Sequence, residues 1–215
     1  MYHLYSILVK PKYNAKFVLA INESYKKYGP SPFVHYCLTD QPDQFKNTDI
    51  IPIDIREYDL EGWWFKLLLF KPGLCQPGIK CIFFDLDSKL LKPIDDMLRF
   101  NDKLILAHNP SKVTHKIIVN RSIRKQSLGI YFTILNSSAM MWIGGNHHDL
   151  YDKFVKNPED NMIKYFGNDE FITYEYDGGY DLIDMKWIQN SRSMIDCVFA
   201  LKMSTEEMID LMRQS

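Results

Sequence analysis

The chain has 215 residues, 46% of them apolar, 25% charged and 14% aromatic, with a formal net charge of −1. This is the profile of one globular domain with a sizeable core, and it excludes a disordered or low-complexity chain. No run approaches the roughly 20 apolar residues that a membrane span needs, and the first residues lack a secretory pattern, so the expectation is a soluble, cytoplasmic protein.

In chain order, "LYSILV" (4–9) reads as a buried strand, and "AKFVLAINESYKKYG" (15–29) as a helix with two lysines in its last turn. "PFVHYCLTD" and "TDIIPIDI" read as further strands, separated by the polar, proline-containing "QPDQFKN". "EGWWFKLLLFKPG" reads as a helix closed by Pro72 and Gly73, and "CIFFDLDSKL" (81–90) as a strand that runs into two aspartates. "PIDDMLRF" then suits a short helix, "KLILAHN" a strand, "GIYFTILNSSAMMWIGG" extended chain, and residues 147–176 helical material. Strands alternating with helices predict an α/β fold, with a mostly parallel central sheet flanked by helices and a ligand site at the carboxyl ends of the strands.

Asp85 and Asp87 fall at such an end. In extended chain they point to one side while Leu86 points to the core. Two unpaired carboxylates so close repel, and a hard divalent ion relieves this by taking their oxygens while keeping positions open for a substrate diphosphate. The plainer alternative is a strand-to-turn junction, where aspartate is common. Cys37, Cys75, Cys81 and Cys197 are widely spaced without a C-x-x-C pattern, so reduced core thiols are expected rather than a zinc site. Charge is uneven: no acid occurs between Asp102 and Asp149, a span holding Lys103, Lys112, Lys116, Arg121, Arg124, Lys125, His108, His115, His147 and His148. Such a span suits a polyanionic partner or a solvated loop.

The segments "GWWFKLLLFKPG" and "CIFFDLDSKLLKPIDDML" resemble the glycogenin-like (family 8) retaining glycosyltransferases, especially their small bacteriophage-encoded relatives; the resemblance is specific over roughly residues 60–100. It extends loosely to "LNSSAMMWI" and "GNDEFI". It implies a GT-A fold in a single domain, residues 1–100 forming the nucleotide-sugar half and 101–215 the acceptor half, with a nucleotide-diphosphate sugar as donor and Mn2+ or Mg2+ as cofactor. By resemblance, Asp87 is a direct metal ligand, Asp85 lies nearer the sugar and ribose and shares the metal site, and Lys66 contacts donor phosphates or an aspartate of the motif. Lys10 or Tyr13 would reach the base or phosphates, and Arg192 would clamp the diphosphate. Asn136, Ser137 and Ser138 match the acceptor-side motif, with Ser138 where the family usually has glycine. Asn168 and Asp169 match the site's polar pair in exchanged order. Trp63 and Trp64 are expected to pack in the core.

Retention, which the resemblance implies, needs no dedicated base; an inverting enzyme would use Asp169 or Glu170. The basic stretch Lys103–His148 raises DNA as acceptor, through a flipped hydroxymethylated base stacked on Tyr131, Phe132 or Trp142. A glycan or protein acceptor and a catalytically silent nucleotide-sugar-binding module are the alternatives. A nucleotidyltransferase would also use paired carboxylates, but "VKPKYN" after the first strand lacks a glycine-rich phosphate loop.

Overall fold

The computed structural model describes residues 1–108, 133–189 and 199–200. Its strands are β1 (Tyr2–Leu8), β2 (Phe33–Thr39), β3 (Ile51–Asp54), β4 (Lys80–Phe84), β5 (Lys89–Leu90), β6 (Leu104–His108), β7 (Leu135–Ile143), β8 (Tyr180–Leu182), β9 (Ile188–Gln189) and β10 (Phe199–Ala200). The helices are α1 (Ala15–Tyr28), α2 (His148–Lys156), α3 (Pro158–Lys164) and α4 (Asn168–Glu175). Seven strands form the main sheet in the order β3-β2-β1-β4-β7-β6-β8, and β5, β10 and β9 form a small second one. Every pairing in the main sheet is parallel except those of β7, which runs antiparallel to both β4 and β6.

Both faces of the sheet are covered, which is why its central strands read as continuous apolar runs. On one face α1 buries Phe17, Val18, Ile21 and Tyr25 against Leu4, Ile82, Phe84 and Met141. Asn14 starts that helix by accepting the Lys16 N–H at 3.0 Å, and Lys26 and Lys27 occupy its last turn, where the helix dipole favours cations. On the other face lie Trp64, Phe65, Leu67 and Leu68 with Phe154 and Phe171 from α2 and α4. Each fully buried side chain of this size contributes about 1.5–3 kcal/mol.

Two expected helices take a tighter form. Gly62–Phe70 is a 3-10 helix, entered through Gly62 at φ +53° and left at Lys71, whose extended backbone is what the following proline demands. In "PIDDMLRF" only Asp95–Met97 is helical, again as a 3-10 turn. Cys37, Cys75 and Cys81 are free and buried, and Cys197 lies outside the described residues. Among the described residues no helix is long and apolar enough to cross a membrane.

Candidate active site

β1, β2, β4 and β6 all end at the same edge of the sheet, and β7, running the other way, begins there. The ladder fixes the junction: Phe84 pairs with Ala139, and the Asp85 N–H donates to the Ser138 carbonyl at 2.8 Å. β4 stops at this point. Asp85 and Asp87 therefore stand in a turn, closed by the Ser88 N–H donating to the Asp85 carbonyl at 3.0 Å, and not in extended chain as the sequence reading had it. Leu86 is buried in the core as expected. The two carboxylates nonetheless interact, since Asp87 raises the proton affinity of Asp85.

Lys66 reaches Asp85 from the 3-10 helix, with Nζ 2.7 Å from Oδ1 and 3.0 Å from Oδ2. It also donates to the Ser137 hydroxyl at 3.2 Å and the Ser137 carbonyl at 3.3 Å. Ser137 is the hub on the β7 side: its hydroxyl accepts from Asn168 Nδ2 at 2.8 Å, and its N–H donates to Asp169 Oδ1 at 3.0 Å. The Asp169 carbonyl accepts the Thr173 hydroxyl at 2.8 Å, tying that aspartate's backbone into the first turn of α4. Asn136 turns to the chain itself, accepting the Ser138 N–H at 2.9 Å. Glu170 is buried, and its carboxylate accepts the Phe166 N–H at 2.7 Å, the role of a capping residue at the start of α4.

The electrostatics are those of a crowded acidic pocket in which Lys66 pairs with Asp85. Burial pushes the Asp85 carboxyl above the usual range, Lys66 pulls it back, and the charges of Asp87 and Asp169 push it up again. Its side chain keeps 30% exposure and that of Lys66 12%, so the pair is partly desolvated. Tyr13, in the loop after β1, is raised well above the ordinary phenol range, first by burial and then by the charges of Asp87 and Asp85 and a hydrogen bond to Asp87. Lys10 is exposed, and its backbone N–H joins Asp40 at the end of β2 at 3.3 Å. Lys16, which the sequence did not single out, holds its ammonium buried in the first turn of α1, without a hydrogen-bond partner among the described residues. The Ser88 and Ser138 hydroxyls are likewise buried without partners.

The structure thus brings Lys66, Asp85, Asp87, Asn136, Asn168 and Asp169 to one sheet edge, with Lys10 and Tyr13 following β1 at the same edge. Arg192 lies outside the described residues, as do Lys112, His115, Lys116, Arg121, Arg124, Lys125, Tyr131 and Phe132. The described ends of the basic stretch separate. His108 ends β6 at the carboxylate edge, whereas Lys103 precedes β6 and His147 and His148 follow β7, at the opposite edge. Lys103 pairs with Asp181 at 3.0 Å. Burial lowers His147 to about 4, so it is neutral near pH 7 and adds no charge. Trp142 is buried in the core. Trp64 is 4% exposed as expected, but Trp63 is 46% exposed and departs from the core assignment.

Asp85 and Asp87 suit a hard divalent ion by ligand type: two acidic side chains, one already braced by an ammonium, leave positions for phosphate oxygens. Among the described residues no third carboxylate, histidine or cysteine completes a metal-binding group.

No protein-family model matches the sequence, and no curated protein matches it. Solved structures do resemble it in fold. An active-site mutant of LgtC aligns with a TM-score of 0.61 and 11% identity over 99% of this chain and 95% of that one. The galactosyltransferase LgtC in complex with donor and acceptor sugar analogs aligns at 0.60 and 10%, over 97% and 94%. The glycosyltransferase GlyE of Streptococcus pneumoniae TIGR4 aligns at 0.57 and 10%, over 86% of this chain and 46% of that one. The architecture is that of a single GT-A domain, a mostly parallel seven-stranded sheet flanked by helices.

Proposed function

We propose that the chain is a metal-dependent glycosyltransferase that moves a sugar from a nucleotide-diphosphate sugar to an acceptor hydroxyl with retention of configuration, in the manner of the glycogenin-like enzymes. The observation that carries this reading is the meeting of Asp85 and Asp87 with Lys66, Ser137, Asn168 and Asp169 at the carboxyl edge of the sheet. Fold likeness to glycosyltransferases supports it.

On this reading Asp87, with Asp85, would hold Mn2+ or Mg2+, which when bound offsets the charge developing on the diphosphate leaving group. Lys66 aims Asp85 and opposes its protonation, against the burial and the two like charges that favour it. Lys10 and Tyr13 flank the nucleotide after β1, and Arg192 remains the proposed clamp on the diphosphate. Asn136, Asn168 and Asp169 face the transferred sugar, their positions fixed relative to one another through Ser137 and Ser138. Of the two acids in the first turn of α4, Glu170 binds the Phe166 N–H and Asp169 reaches Ser137 in the pocket. Residues 1–100 would serve the donor and 101–215 the acceptor, in a cytoplasmic enzyme. A DNA acceptor draws its support from basic residues outside the described ones, and the described ends of that stretch do not gather at the carboxylate edge.

The test is nucleoside diphosphate release from a panel of nucleotide sugars with manganese, with and without chelator, beside Asp87→Asn. Release from one donor, abolished by chelator and reduced about 100-fold or more in the variant, is the expected result. Release indifferent to both would overturn the metal assignment, and binding of the donor without turnover under any acceptor would point to a silent binding module.

A further inference from the structure

The segment between the 3-10 helix and β4 carries two thiols that the donor chemistry leaves unused. "CQPGIKC" places Cys75 and Cys81 on either side of a tight turn. Pro77 and Gly78, the glycine at φ +78°, are the residues a type II turn favours at its two central positions, and the Ile79 N–H closes the turn on the Gln76 carbonyl at 3.4 Å. The chain just past β7 pins it: the Gly78 N–H donates to the Gly144 carbonyl at 2.8 Å, and the Gly144 N–H to the Ile79 carbonyl at 2.7 Å. A side chain at Gly144 would break this fit, because its Cβ would come within 2.1 Å of the Gln76 carbonyl oxygen and 3.3 Å of Cys81 Sγ. A turn so held folds the chain back on itself and lets the two thiols meet.

Both side chains enter the same buried cluster, Cys75 at 4% exposure and Cys81 at 0%. Cys75 Sγ donates to the Leu69 carbonyl at 3.2 Å, Cys81 Sγ to the Ile79 carbonyl at 3.4 Å, and the thiols also hydrogen-bond each other. That mutual bond divides their roles. It lowers Cys75 against the pull of burial, with the Tyr5 hydroxyl and Trp142 adding to it, and it raises Cys81 together with burial. Cys75 is therefore the better thiolate and Cys81 the proton holder. Pro72, Gly73, Gln76, Pro77 and Gly78 are exposed, so Cys75 is an inward-turned side chain in a surface segment, and local opening of that segment bares its sulfur. Cys37 differs: it lies within β2, at 0% exposure, and burial pushes it up to about 12.

We propose that Cys75 and Cys81 are a reversible redox site, at which a small-molecule disulfide converts the two thiols into a disulfide that ties the segment after the 3-10 helix to the start of β4. The Cys75 thiolate attacks one sulfur of the oxidant and expels the other as a thiolate, leaving a mixed disulfide. Cys81 passes its proton to the expelled thiolate, attacks the Cys75 sulfur and releases the second half of the oxidant. The protein gives up two electrons and two protons, and the oxidant leaves as two thiols. The two elements joined are those that carry Lys66 and lead into Asp85 and Asp87.

The test incubates the full native chain with glutathione disulfide, blocks the remaining thiols and maps the tryptic peptides by mass. Cleavage after Lys80 separates the two cysteines, so the expected product is a 67–80 peptide linked to an 81–89 peptide, released by dithiothreitol. Cys75→Ala should slow thiol loss to the oxidant about 10-fold or more, and Cys81→Ala should halt at a glutathione mixed disulfide on Cys75. The oxidised chain should unfold at higher urea than the reduced one, since the bond restricts the unfolded state. Linkage of Cys75 to Cys37 or Cys197, a mixed disulfide that persists in the parent chain, or oxidation only after unfolding in urea would each overturn the pair. An unmoved urea midpoint would overturn the tie. The peptide map of the parent chain decides first, so an unstable alanine variant does not obscure the result.

Discussion

Two polar clusters lie within this sheet, and they are built on opposite principles. Around His35 the ring Nε2 meets the Ser6 hydroxyl and Nδ1 meets Asn22 Oδ1, both at 3.0 Å; Asn22 then donates to Asp49 at 3.1 Å, and Asp49 pairs with Lys26 at 2.9 Å. Each polar atom of the imidazole has a partner, and burial lowers the ring to about 3, so it stays neutral. Around Asp85 the charges of Asp87 and Asp169 crowd a carboxyl braced by Lys66, the Asp85 carboxyl is raised, and among the described residues the Ser88 and Ser138 hydroxyls have no hydrogen-bond partner. The first cluster is satisfied and closed, and it serves the fold. The second holds unmet demands, which a ligand can meet, and that is the mark of a site rather than of a brace.

Substitutions should separate the two. His35→Ala removes a buried ring and leaves Ser6 and Asn22 without partners, so unfolding in urea should show a loss of about 3 kcal/mol, while the folded fraction keeps its activity. An equal loss of activity per folded molecule would break the distinction. Lys66→Met acts on the other cluster: donor cleavage should fall roughly 30-fold, about 2 kcal/mol, and carbon-13 titration should show the Asp85 carboxyl protonating at higher pH than in the parent. A third effect is in pH. His35 titrates near 6.5 unfolded and about 3 folded, so between those values the unfolded chain holds the extra proton. Stability is complete above about pH 6.5 and falls by about 1.4 kcal/mol per pH unit as pH drops toward 3, measurable by denaturant titration. His147, lowered to about 4, adds to the slope in the same direction. A flat profile over pH 4–6.5 would show that the His35 cluster is not closed.

The alternation of elements and the position of the aspartates were legible because a buried parallel strand reads as an apolar run and its end is where polarity returns. The sequence could not say which helix type "GWWFKLLLF" adopts: with seven of its nine residues apolar it has no stripe to reveal a period, and its burial is decided by what packs on it. Trp63 and Trp64 look alike in a string, yet one is exposed and the other buried, because the tighter helix turns them onto different faces. Lys66 could be picked out as the lone charge in that run, but its partners Asp85 and Ser137 lie 19 and 71 residues away, and such distances in sequence carry no local signal. The His35 cluster was invisible for the same reason, since Ser6, Asn22 and Asp49 come together only when β1, α1 and β2 pack.

The reversed strand β7 has a consequence for how the molecule is made. Among the described residues β6 pairs with β7 and β8, and both come later in the chain. A ribosome that has just released His108 has therefore delivered the aspartates and Lys66 together with a strand that has nothing to pair with. The pocket closes when β7 inserts between β4 and β6, joining segments far apart in sequence, a step that loop closure makes slow. The carboxylate edge waits for β7, and until then β6 is an edge open to the wrong neighbour.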